Sequence, residues 1–152
     1  MLRERFTQAM KDAMKAKDTQ TLSAVRMIMA ELKKRDIDAR PKGQMDGIPE
    51  AEIGSMLQTM VKQRRESVAL YRQGGREELA AQEEAEIAVI MSFLPKQLTE
   101  EETKAAIAQA VTDTGAASIK DMGKVMAVLK DKYTGQMDFS TVGPLVKAAL
   151  NG

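Results

Sequence analysis

An all-α fold follows from three observations. Apolar residues recur at three- and four-residue steps through most of the chain, and glycine pairs and prolines punctuate those stretches. β-Branched residues nowhere alternate with polar ones over a length that a strand would need. The spacing further predicts two units. Residues 1–94 form an N-terminal four-helix bundle or paired helical hairpins, and residues 95–152 form a small three-helix domain.

The first helix is defined by Leu2, Phe6, Met10 and Ala13 on one face, with Lys11, Lys15 and Lys17 on the polar side. A basic amphipathic start of this kind also suits a mitochondrial presequence, but Glu4 and Asp12 interrupt the charge, so core packing is the reading adopted. Asp18 or Thr19 caps a second helix, which Leu22, Val25, Met29 and Leu32 carry to about Arg35. The stretch from Arg40 to Pro49, with two prolines and two glycines, reads as a loop. A third helix starts near Glu50, runs through Ile53, Leu57, Met60, Val61, Val68 and Tyr71, and stops at Gly74-Gly75. Arg76 opens a fourth, which passes through Leu79, Ile87 and Ile90 and ends before Pro95.

Beyond Pro95, Thr99 and Glu102 form a capping box for a fifth helix that carries Ala106, Ile107, Ala110 and Val111 to Gly115. Ser118, with Asp121 three residues on, caps a sixth helix bearing Ile119, Met122, Val125, Met126 and Leu129. The last helix holds Val142, Leu145, Val146, Ala149 and Leu150, and Pro144 is expected in its first turn, where a missing N–H costs nothing. The twelve methionines are read as core filler, because Met10, Met29, Met60, Met91, Met122 and Met126 all fall on apolar helix faces.

Composition narrows the chemistry. With 152 residues, 43% hydrophobic and 30% charged, the chain has the make-up of a globular protein. It has no cysteine and no histidine, which removes thiolate nucleophiles, imidazole bases and zinc sites built on those ligands. No metal site, cofactor or catalytic residue is assigned. There is no phosphate-loop or dinucleotide fingerprint, no membrane-spanning run and no secretory signal, so a cytoplasmic location is expected. A net charge of +1 supplies no overall field toward polyanions, so any such binding must be local.

Two local clusters stand out. Arg64 falls within the apolar stripe of the third helix and needs a carboxylate partner to be buried; Glu83 or Glu86, on the helix folding back from Gly74-Gly75, is the candidate. Structural pairing is preferred to acid–base catalysis, because no nucleophile accompanies these carboxylates. In the second unit, Lys120 and Lys124 are four apart, and Lys130 and Lys132 follow near the helix end. Gly123 lies among them, and a glycine within a helix suggests close approach of another backbone or of a ligand.

The succession Lys62-Gln63-Arg64, Gly75-Arg76-Glu77-Glu78-Leu79, Phe93-Leu94-Pro95-Lys96-Gln97-Leu98, Asp121-Met122-Gly123-Lys124-Val125-Met126 and Gly135 to Asp138 resembles the YqeY family over nearly the whole chain. The resemblance implies two helical domains, the second like the tail of GatB, the transamidosome subunit that helps amidate misacylated tRNA. It implies tRNA, and an amidotransferase or another translation-associated protein, as partners. It carries tRNA binding to Gly123, Lys124 and Lys132, with Lys120 and Lys130 beside them. Thr134 and Gln136 stand where relatives often have lysines, which implies fewer phosphate contacts. At the level of the family the resemblance also implies carbon–nitrogen ligase activity with glutamine as amide donor. It includes neither the part of GatB that activates the carboxylate with ATP nor the ammonia-generating amidase. The functional expectation is therefore a non-catalytic tRNA-binding or translation-associated accessory, with a protein-interaction adaptor and a ligase as the alternatives.

Overall fold

Seven α-helices follow one another in the computed structural model, which describes residues 1–151 (for Ser140, the backbone alone). They are α1 (Leu2–Ala16), α2 (Thr19–Ala39), α3 (Glu50–Gln73), α4 (Glu77–Met91), α5 (Glu100–Thr114), α6 (Met122–Lys132) and α7 (Phe139–Asn151). Short 3₁₀ turns occupy Arg40–Lys42 and Ile119–Asp121, and no strand occurs among the described residues. The chain divides into two compact units, Met1–Leu94 and the part from Pro95 on.

In the first unit, α1 packs on α2, α3 on α4, and α2 on α4. Their shared core is built on Phe6, Val25, Ile28, Ile53, Met56, Leu57 and Ile90, each almost wholly withdrawn from water. Burying side chains of this size stabilises by about 1.5–3 kcal/mol apiece. Leu2, Phe6 and Ala13 of α1 contribute to this interior, so the basic start is part of the folded unit. In α2, Val25 and Ile28 are fully buried, with Met29 beside Ile28 only partly covered. Met60 is buried and Met10, Met29 and Met91 line the core, whereas Met1, Met14 and Met45 are exposed.

Local chemistry explains the boundaries. The Asp18 carboxylate accepts hydrogen bonds from the Thr21 backbone N–H at 3.1 Å and the Thr21 hydroxyl at 2.6 Å, capping α2. That helix runs to Ala39, beyond the expected end near Arg35. The apolar period fails at Asp36, yet the helix continues because Asp36 has a partner. Its carboxylate accepts from Arg3 Nη1 at 2.7 Å, Arg3 Nη2 at 2.9 Å and the Ile48 backbone N–H at 2.9 Å, and Arg3 Nη2 also donates to the Ile48 carbonyl at 3.0 Å. Gly47 passes this pair with φ +95, and a Cβ there would lie 2.6 Å from Arg3 Nη2 and from Asp36 Oδ1. At the other end of the unit, Arg5 donates to the carbonyls of Ser92 at 3.0 Å and Phe93 at 3.2 Å, capping the C-terminus of α4. Its guanidinium stands 5.4 Å from the centre of the Phe93 ring, which meets Phe6 edge-on at 4.8 Å.

In the second unit, each of α5, α6 and α7 touches the other two. Ile107, Val125, Leu129, Met137, Val142 and Val146 form the interior, with Met122 and Met126 packed against it. Thr99 Oγ1 accepts from the Glu102 N–H and Glu102 Oε1 accepts from the Thr99 N–H, both at 3.1 Å, completing the capping box. The sixth element opens as a 3₁₀ turn at Ile119, and α6 itself starts at Met122. The expected place of Pro144 is corrected: α7 starts at Phe139, so Pro144 lies inside the helix rather than in its first turn. Asp138 already serves as the helix start, its carbonyl accepting from the N–H groups of Thr141 and Val142.

Two segments far apart in the sequence meet here. Leu98 N–H donates to the Gln136 carbonyl at 3.1 Å, and Gln97 Nε2 donates to the Gly135 carbonyl at 2.6 Å. Gly135 has φ +78, and a Cβ on it would sit 3.2 Å from Pro95 Cγ. The 95–98 segment is therefore fastened to the turn between α6 and α7.

The Arg3 hydrogen bond, aided by the Ile48 N–H and Arg3 charge, holds the Asp36 carboxyl below its ordinary pKa. This contribution to stability is present above the unfolded carboxylate value of about 3.9 and is lost as pH falls through the lower folded value. Asp36→Ala is expected to cost about 2 kcal/mol near neutral pH and to lose less than the parent below pH 4, as read from urea unfolding across a pH series.

Candidate functional site

In the first unit, the turn at Gly74-Gly75 folds α4 back along α3 and brings the charged faces of the two helices together. Gly75 adopts φ +72, and Arg76 N–H returns to the Tyr71 carbonyl at 2.8 Å. Arg72 bridges Glu77 at 3.1 Å and Glu84 at 2.7 Å, and these carboxylates hold its guanidinium pKa further above the ordinary arginine value. All three side chains are well exposed, so this bridge adds little to stability.

Arg64 is different. Its Nε lies 3.2 Å from Glu86 Oε2, and the two side chains are only 15% and 13% exposed. Nη1 donates to the Met60 carbonyl at 3.2 Å, and Nη2 approaches the Met27 sulfur at 4.0 Å. The guanidinium thus links α2, α3 and α4. Glu83 stands in the same cluster without a hydrogen bond to Arg64. Burial, and then the Glu86 charge, push its pKa up, with Arg64 opposing. A carboxylate pair beside an arginine can hold a proton. Among the described residues no group of side chains is arranged to hold a metal ion.

In the second unit, Lys120 belongs to the 3₁₀ turn, Lys124 to the first turn of α6, and Lys130 and Lys132 to its last. All four are exposed, and none has an ion pair among the described residues. Because Lys120 precedes the α-helix, it and Lys124 do not share one regular helical face. Helical geometry puts Lys124 and Lys132 about 12 Å apart along the axis and turns Lys130 about 120° from Lys124, so the lysines fan around the exposed side. Lys132 Nζ lies 5.9 Å from the centre of the Tyr133 ring. Two lysines at a helix C-terminus also complement its dipole. Asp121 sits before α6 with its pKa lowered, first by the Ala117 N–H and then by that of Ser118, with the charge of Lys124 adding to the effect.

The expectation that Gly123 marks an approaching backbone within the chain is corrected. Gly123 is exposed, and a Cβ built on it meets nothing within 4 Å. It is the second residue of α6, at the helix start, where a glycine is less costly than in a helix interior.

Sequence reasoning missed the Arg3–Asp36 pair and the Arg5 cap on α4. Asp36 offered a signal, since a carboxylate interrupting an apolar helical period asks for a partner. Arg5 offered none, because its acceptors are backbone carbonyls 87 and 88 residues away. A surface depression of about 350 Å³ between the end of α2 and the start of α3, lined among others by Asp38, Lys42, Ile48 and Glu52, was also not foreseen.

These features define an all-helical protein of two units, with an internal ion pair in the first and an exposed lysine-bearing helix in the second. The chain belongs to the family described as Yqey-like protein, whose model matches residues 3–150. It is similar to altered inheritance of mitochondria protein 41, mitochondrial, of Eremothecium gossypii, with 34% identity over 87 residues that make up 57% of this chain and 45% of that one. The protein of the same name from Candida glabrata is 32% identical over 85 residues, 56% of this chain and 45% of its own. The match thus spans less than half the length of these curated relatives.

Removing one member of the enclosed pair leaves the other charge uncompensated. Arg64→Met is expected to cost about 3 kcal/mol in urea unfolding, and adding Glu86→Met should restore much of that loss. Glu83 behaves oppositely to Asp36. Its raised pKa contributes stability below the unfolded glutamate value of about 4.3, and this is lost as pH rises through the folded value. Glu83→Gln should therefore be more stable than the parent at pH 7, with the difference closing by pH 4.

Proposed function

We propose that the chain is a non-catalytic accessory of translation in the cytoplasm, docking a structured RNA of the tRNA class through its second unit. The observation that carries this reading is the set of exposed lysines Lys120, Lys124, Lys130 and Lys132, which form no ion pair among the described residues. Exposed lysines around a helix suit phosphates that follow a curved backbone, as in recognition of folded RNA by shape. The open space at Gly123 leaves room for a phosphate to approach the first turn of α6. In the same reading the N-terminal unit is a four-helix bundle made of the α1–α2 and α3–α4 hairpins, and the lysine-bearing unit is a three-helix domain.

One observation favours a second reading, an adaptor for an amidotransferase. Ile119 is 42% and Leu145 37% exposed, on a turn and a helix that touch each other. Ligase chemistry is not part of the proposal: the described site holds paired charges and lysines, and turnover with charged tRNA, ATP and glutamine is expected to be undetectable.

The test is a salt series of binding to total tRNA, with the parent and the Lys124→Glu, Lys132→Glu double variant. Binding is expected to fall steadily with salt and to weaken about tenfold or more in the variant at unchanged helicity. No binding of the parent at low salt removes the proposal in favour of the adaptor reading.

A further inference from the structure

One face of α2 is left exposed by the other helices of its own unit. Ser23, Ala30 and Ile37 recur one heptad apart, forming a row about 21 Å long on the solvent side. Ile37, at one end of the row, is 49% exposed. Arg26 and Lys33 flank the row on one side and Lys34 on the other, all within about 60° of it around the axis. All three cations are exposed, and none has an ion pair among the described residues. No carboxylate lies on that face. The acidic residues of α2 nearest to it, Glu31 and Asp38, point about 80° or more away, and Glu31 is held by Arg35 at 3.1 Å.

We infer that this face of α2 docks an acidic amphipathic helix of a partner protein. Small residues at 23 and 30 allow a second helix to approach closely, Ile37 supplies the apolar contact at one end, and the flanking cations meet carboxylates on the partner's e and g positions. An RNA backbone would use the cations but leave Ile37 against phosphate, and no aromatic side chain on the face offers a base a stacking surface. The charge of the stripe sets the partner's sign, and the small side chains at 23 and 30 leave room for a helix to lie along it.

The experiment uses the full chain and a labelled three-heptad peptide with Leu at a and d and Glu at e and g, whose like charges oppose its own self-association. A scrambled peptide of the same composition is the control. The heptad peptide is expected to bind about tenfold or more tightly than the scrambled one. Lys33→Glu with Lys34→Glu, and separately Ile37→Glu, should each weaken it about tenfold, at unchanged helicity and unchanged tRNA affinity. Equal binding of the two peptides, or unaltered binding by both variants, overturns the inference. So does loss of tRNA affinity, or of affinity for vesicles containing phosphatidylserine, with peptide binding intact, since the stripe would then serve a nucleic acid or a lipid surface. Because the RNA proposal rests on Lys124 and Lys132, its failure is read in a different pair of variants.

Discussion

The hydrogen bonds shared by Arg3, Asp36 and the backbone of Ile48 tie three parts of the first unit to one point: the start of α1, the last turns of α2 and the loop that leads to α3. Each part depends on the others. Without Asp36, Ile48 N–H loses its acceptor; without Arg3, a carboxylate is left on a half-covered helix face with one neutral donor. The loop must bend sharply between them, and Gly47 supplies a left-handed backbone where any side chain would strike the pair. The apolar core beneath, with Phe6, Ile53 and Leu57, is non-directional, so this polar clamp is what sets the path of the loop over it.

How much of this was legible depends on how local its cause is. Caps and stops are decided within a few residues, so Thr99 with Glu102, Gly75 and Gly115 could be read directly from the chain. The end of α2 could not, because Asp36 breaks the apolar period and is reconciled with the helix only by an arginine 33 residues away. Pro144 shows the same limit in reverse. Its local rule favours a first-turn position, but Asp138 and the packing of Val142 and Val146 start α7 earlier. The candidate lysines were visible as a composition, whereas their fan around α6, and the open space beside Gly123, needed the third dimension.

The charges of the two units differ in how they are satisfied. On the α3–α4 side, Arg64, Arg72 and Arg76 each meet a carboxylate of the returning helix, so a run that is basic in sequence is balanced in space. On α6 and on the outer face of α2, cations remain exposed with no ion pair among the described residues. A chain of nearly zero net charge can thus keep separate cationic surfaces, because pairing is a property of faces and not of totals.

The contact of Arg5 with the carbonyls of Ser92 and Phe93 has a consequence for the order of events during synthesis. It joins residues 88 apart and closes the first unit into a ring whose seam is made by its first and last segments. A nascent chain can form the α1–α2 pair early, but the seam must wait until Phe93 has left the ribosome. Closing so long a loop is then a late and cooperative step rather than a gradual one. Until that moment α1 keeps part of its apolar face open, which is a time window in which a chaperone or another nascent chain can compete for it.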